Sequence, residues 1–137
     1  MIRVFVPRDS GALSMGAEAV ARAIAAEAAV RNQAVTLVRN GSRGLYWLEP
    51  MVEVETPAGR VAYGPVTPAD VPGLFDAGFL GGGAHRLGQG PTEQIPYLAR
   101  QERLTTARVG VTDPVNSTAT NIPWYTGWTR GWSGATP

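Results

Sequence analysis

Val38-Arg39-Asn40-Gly41-Ser42-Arg43-Gly44-Leu45-Tyr46-Trp47-Leu48-Glu49-Pro50-Met51-Val52-Glu53-Val54-Glu55, then Thr56-Pro57-Ala58-Gly59 and Arg60-Val61-Ala62-Tyr63, is the stretch on which the fold turns. It opens as a loop with two glycines and closes as a hairpin. Val52 and Val54 alternate with Glu53 and Glu55, the period of a strand with one face in and one out. Pro57-Ala58-Gly59 supplies the turn, and Val61 and Tyr63 resume the alternation. On this reading Glu53 and Glu55 form the wet face of the hairpin.

Upstream, Ile2–Val6 is apolar at nearly every position, as in a strand buried on both faces, and Pro7 ends it. A helix is expected from about Leu13 to Arg31, with Ala17, Val20, Ile24 and Ala28 as its stripe. Its many alanines make it slim enough to lie close on a sheet. Ala34–Val38 is the next strand, and strand, long helix and strand in this order predict a right-handed crossover between parallel strands. Downstream, Thr67-Pro68-Ala69-Asp70 is a helix start, Val71, Leu74 and Phe75 an apolar face, and Gly78 a stop. Met1–Leu80 therefore reads βαββα, an α/β (α+β) unit of thioredoxin-like arrangement, with a ferredoxin-like split unit as the alternative.

The remainder is organised more loosely. Three segments are expected: a domain over 1–80, a linker and docking arm over 81–114, and an irregular tail over 115–137. Gly81-Gly82-Gly83 begins a linker running to Gly90-Pro91; its glycines do not follow a strand at the spacing of a dinucleotide fingerprint. Thr92–Leu104 is too short to own a core, so it lies over another surface, of this domain or of a partner. Ala107–Val111 reads as a short strand. In the tail, Trp124, Trp128 and Trp132 recur every four residues, but the intervening glycines disfavour a helix.

Composition narrows the chemistry. The 137 residues carry a net charge of +1, which implies no strong electrostatic partner. Every basic residue is Arg, and the arginines are scattered, which argues against a nucleic-acid footprint. Cysteine is absent, so disulfides, thiol catalysis and thiolate metal sites are excluded. The single histidine, His85, reads as a solvated side chain in the glycine linker. The opening Met1-Ile2-Arg3-Val4 reads as a strand rather than a signal peptide, and the alanine-rich run is broken by Glu18, Arg22 and Glu27. The expectation is a soluble, cytoplasmic protein with no membrane and no nucleic-acid partner.

Two segments, Pro7–Glu18 and Ser42–Val54, resemble the thioredoxin-like 2Fe–2S ferredoxins. In that family a strand leads into C-x-x-x-x-C, and a later loop carries C-x-G-x-C before a proline and a hairpin. Here Pro7 and Ala12 fall at the first two ligand positions, followed by Gly16-Ala17-Glu18. Ser42 and Tyr46 fall at the second two, with Gly44 kept and Pro50-Met51-Val52 next. The resemblance implies the fold, while thiolates are what bind such clusters and all four are replaced.

A further resemblance covers about residues 1–114. Val6-Pro7-Arg8-Asp9-Ser10, Arg39-Asn40-Gly41-Ser42-Arg43-Gly44, Trp47-Leu48-Glu49-Pro50, Tyr63-Gly64-Pro65-Val66 and Gly90-Pro91-Thr92-Glu93-Gln94-Ile95-Pro96-Tyr97-Leu98 look like the N-terminal region of the flavoprotein (beta) subunit of NAD-dependent formate dehydrogenases, itself similar to the corresponding flavoprotein of bacterial NADH-quinone oxidoreductase. Gln101-Glu102-Arg103-Leu104 and Val109-Gly110-Val111-Thr112-Asp113-Pro114 look like the entry to its flavin domain. The full-length family implies FMN, NAD and a 4Fe–4S cluster, whose residues lie outside the matched region. The similarity stops at Pro114, where a Thr/Trp/Gly-rich sequence begins. The expectation is a truncated subunit whose tail arises from a frameshift near codon 115, so that an adjacent reading frame of the DNA restores a flavin-domain sequence.

Three functions are therefore in contention. The first is a non-catalytic domain that docks the other subunits of a formate dehydrogenase-like complex, with Tyr46 and Trp47 as packing or interface residues. The second is a small-anion or nucleotide module, in which Arg39, Arg43 and the amides around Gly41 and Gly44 form a nest. The third, a stand-alone enzyme, has no constellation of residues to support it.

Overall fold

A computed structural model describes residues 1–102 and Gly110. It contains a five-stranded mixed sheet in the order β2-β1-β3-β4-β5. The strands are β1 (Ile2–Pro7), β2 (Val35–Asn40), β3 (Val52–Thr56), β4 (Gly59–Tyr63) and β5 (Gly88–Pro91). β1 runs parallel to β2, with Val4 opposite Leu37 and Pro7 opposite Asn40. All other pairings are antiparallel. The expected crossover and hairpin are both present, and the turn sets Thr56 opposite Gly59 and Glu55 opposite Arg60.

One face of the sheet is covered by α2 (Ala17–Val30) and α3 (Val71–Asp76). Val20, Ile24 and Ala28 of α2 pack with Val4, Val6, Val52 and Val54 from the central strands. Tyr63, Leu74, Phe75 and Phe79 complete this core; Phe79 stands edge-on to both Tyr63 and Phe75. α3 begins as read from the sequence. The Thr67 backbone N–H and hydroxyl both donate to Asp70, at 2.9 and 2.6 Å, in a capping box ahead of Val71.

Three details depart from the sequence reading. The long helix is two: α1 (Ser10–Ser14) and α2, separated at Gly16, whose φ of +94° is left-handed. Asp9 caps α1, accepting from the Ala12 N–H. The second strand starts and ends later than Ala34–Val38, because the parallel ladder with β1 runs on to Asn40. The stretch read as a linker supplies the edge strand β5, which no side-chain pattern announces because it is built from Gly88, Gln89, Gly90 and Pro91 and defined by backbone pairing to β4.

Of the two surfaces open to it, the arm lies over this domain's own at least as far as Leu98. After β5, a turn at Thr92–Gln94 leads into α4 (Pro96–Ala99). Ile95 and Leu98 bury against Leu45, Leu48, Met51 and Ala62, forming a second core. Ala62 alternates with Val61 and Tyr63 of the first core, so the second core lies on the other face of the sheet. The expected Ala107–Val111 strand and the 115–137 tail fall outside the described residues, Gly110 apart. Among the described residues, no helix is long and apolar enough to cross a membrane.

Candidate functional site

The loop after β2 and the hairpin strands together build a buried polar centre on the face away from α2. Period-two geometry places Phe5, Glu53, Glu55 and Arg60 on this face. Glu53, expected in water, is 1% exposed. It accepts from Arg43 Nε at 3.0 Å and Arg43 Nη2 at 3.1 Å, a two-pronged pair, and Arg60 Nη1 lies 3.4 Å from its second oxygen. The alternation identified its face correctly but not the cover, which comes from the 42–46 loop and the arm. Arg60 also stacks 3.6 Å over the Phe5 ring. Glu55, by contrast, is part exposed and pairs with Arg3 at the sheet's margin.

Arg43 further reaches Glu93 at 3.2 Å. Burial works against its charge, but the hydrogen bonds and charge of Glu53, with help from Glu93, hold its pKa above the ordinary guanidinium value. Arg39 sits on the opposite side of β2, donating to Glu18 of α2 at 2.9 Å and to the Val6 and Pro7 carbonyls. Of the residues in the expected anion nest, both guanidiniums thus face protein oxygens. Gly44 has a left-handed φ of +82°, and its N–H donates to Ser42 Oγ, while Gly41 is half-buried in the same loop.

The four positions that the ferredoxin resemblance assigns to cluster ligands are Pro7, Ala12, Ser42 and Tyr46. Pro7 is buried at the end of β1, and Ala12 is fully buried in α1. The Ser42 hydroxyl donates to Glu49 at 2.5 Å. Tyr46 is 69% exposed, and its ring lies beside Gly11, where a Cβ would sit 3.7 Å from it. The two loops therefore meet, through Tyr46 against α1. The donor set is one secondary-amine-derived ring, one methyl, one hydroxyl and one phenol, with no thiolate. It does not fit a cysteine-ligated cluster, and among the described residues no group of three or more His, Asp or Glu side chains is placed to hold a metal.

A carboxylate that the sequence reading passed over occupies this corner. Glu49 is 2% exposed and joins two elements: it accepts from Ser42 of the loop and, at 3.1 Å, from the Met51 N–H ahead of β3. Burial pushes its pKa above the ordinary carboxylate value; the Ser42 and Met51 donors pull the other way, and the charges of Asp9 and Glu53 add to the rise. Asn40 and Gly110 were also passed over. The Asn40 side-chain amide donates 2.7 Å to the Gly110 carbonyl. The turn's register puts Arg60 opposite Glu55 and on the diagonal from Glu53, so the sequence places it on the same face as both. Glu49 and Asn40 carried no such signal.

Around this corner, Tyr46 and Trp47 (61% exposed) stand out to solvent, and Trp47 meets Tyr97 of α4 edge-to-face at 5.4 Å. His85 is less solvated than expected: it is half-buried, and its Nδ1 accepts from the Leu87 N–H at 3.3 Å.

No protein family and no curated protein matches the chain. Solved structures do. A cysteine-to-serine variant of the thioredoxin-like [2Fe-2S] ferredoxin from Aquifex aeolicus is 26% identical, with a TM-score of 0.55, over 66% of this chain and 99% of that one. A second such variant is 25% identical with a TM-score of 0.54 over the same shares. The wild-type ferredoxin, at 24% identity and a TM-score of 0.53, covers 66% of this chain and 97% of that one. With the sheet order and crossover above, these likenesses make the fold that of a thioredoxin-like ferredoxin, in a chain without the cysteines to ligate a cluster.

Proposed function

We propose that this chain is a non-catalytic N-terminal domain of the flavoprotein subunit of an NAD-linked formate dehydrogenase, similar to NADH dehydrogenase, and that it docks neighbouring subunits of the electron-transfer complex. The observation that carries the reading is the contrast at one corner of the fold. The ferredoxin frame is kept, while its four ligand positions hold packing and hydrogen-bonding groups, with Ala12 buried and Ser42 tied to Glu49. A frame retained without its cofactor is under demand for shape. At the same corner Tyr46, Trp47 and Tyr97 present aromatic area to solvent, the residue types enriched where proteins meet. In this role the domain moves no electrons itself and takes no substrate.

The test is co-expression of the chain with the iron–sulfur small subunit of an NAD-linked formate dehydrogenase, then size-exclusion chromatography, with iron, sulfide and flavin assays on the chain alone. Co-elution at micromolar concentration, weakened at least tenfold by Trp47→Ala with Tyr97→Ala, is the expected result, with a colourless chain free of iron and flavin. Separate elution of the two proteins overturns the docking role, and stoichiometric iron and sulfide in the chain overturns the cofactor-free reading.

A further inference from the structure

On the sheet face away from α2, side chains from the loop and from β4 converge on one buried carboxylate. Two guanidiniums, Arg43 and Arg60, share one fully buried carboxylate, Glu53. Arg43 gains Glu93 as a second partner. Arg60 gains the Gly110 carbonyl, at 3.4 Å. That carbonyl also receives the Asn40 amide at 2.7 Å. Asn40 is itself almost wholly buried, and its Oδ1 has no hydrogen-bond partner, so Gly110 supplies the side chain's one satisfied contact among those of the described residues.

The fit admits only glycine. Gly110 is buried with φ +83°, and a Cβ there would run into the Arg43 side chain, 2.9 Å from Nε and 3.0 Å from Cγ. The chain reaches this point after leaving the second core at Leu98.

We propose that Gly110 is where the C-terminal arm is fastened to the sheet, its main-chain carbonyl held by Asn40 and Arg60 and its Cα set against the Arg43 side chain. Withdrawing the carbonyl leaves the buried Asn40 amide without an acceptor and takes one acceptor from the half-buried Arg60, and an unpaired buried amide is costly. The contact ties position 110 to β2 and β4, so that the chain is held to the sheet both at Leu98 and at Gly110. The proposal concerns the arm's attachment and stands whether or not the docking role does.

Limited trypsinolysis of the full chain reads this directly, since every tryptic site is an arginine and Arg100, Arg103 and Arg108 flank the contact. Asn40→Ala and Gly110→Val are expected to speed cleavage at these three sites at least tenfold, measured by intact mass. Asp70→Ala, which weakens the capping box of α3 far from this contact, serves as the control for general loosening and is expected to leave those sites as slow as in the wild type. Should Gly110→Val fail to fold, Asn40→Ala decides. Equal acceleration by Asn40→Ala and Asp70→Ala, or wild-type cleavage at these sites as fast as in the urea-unfolded chain, overturns the proposal.

Discussion

Replacing Glu53 with Gln keeps the shape of the side chain and removes its charge. In a solvated hairpin the change would be nearly neutral, since surface substitutions fall within about 0.5 kcal/mol. Here Glu53 lies under a two-pronged contact from Arg43 and a longer one from Arg60, with Phe5 beneath the second guanidinium. Removing one partner of a buried ion pair costs about 3–5 kcal/mol, because the other charge stays buried and unpaired. Arg43 keeps Glu93, and Arg60 keeps some access to water, which sets the expectation at the low end, about 3 kcal/mol. Urea unfolding followed by far-ultraviolet circular dichroism measures it. With a slope of about 1.5 kcal/mol/M the midpoint falls by about 2 M. Because the pair is buried, the loss persists in 1 M salt, where the Debye length shrinks to about 3 Å and exposed pairs are screened. A loss under about 0.5 kcal/mol refutes the burial argument, and a loss that salt abolishes assigns it to surface electrostatics.

Three further outcomes are expected. Glu49 has its folded pKa raised, so the fold binds its proton more tightly than the unfolded chain does; that contribution is full below the unfolded pKa and is lost as pH rises through the folded one. Wild-type stability relative to Glu49→Gln should therefore decline as pH rises from the ordinary carboxylate range towards neutrality, and a flat difference between urea titrations would contradict the assignment. Asp70→Ala removes the acceptor for the Thr67 N–H and hydroxyl and should cost about 1 kcal/mol by the same method; no loss would mean that the box adds nothing to α3. Phosphate at millimolar concentration should leave the melting temperature unchanged, because Arg39 and Arg43 already face carboxylates and carbonyls; a rise that Arg43→Ala abolishes would restore the anion-loop reading.

What the sequence made legible was local. The alternation of Val52–Glu55, the Pro57–Gly59 turn and the Thr67–Asp70 cap each act within a few residues, and each is present as read. What stayed hidden depends on parts that meet from afar. Glu53 looks wet because alternation assigns a face without saying whether anything covers it; Arg43 covers it from ten residues upstream. β5 has no side-chain pattern, since it owes its place to the backbone of β4. At the site, the replaced ligand positions Pro7, Ala12, Ser42 and Tyr46 could be named from the family resemblance, but the Ser42–Glu49 link could not, because a single buried carboxylate has no spacing to recognise.

The position of β1 has a consequence for synthesis. The first strand of the chain lies inside the sheet, between β2 and β3. As the chain emerges N-terminus first, β1 can take up β2 once the crossover helix has formed. Its other edge then stays open until β3 emerges, since Val4 pairs with Val54. At translation rates of about 5–20 residues per second, that interval lasts on the order of a second or more. For that time an apolar strand presents unpaired main-chain groups to the cell, the geometry that invites pairing with a foreign strand. Slowing elongation between the β2 and β3 codons should lengthen that exposure and raise the insoluble fraction, with the amino-acid sequence unchanged.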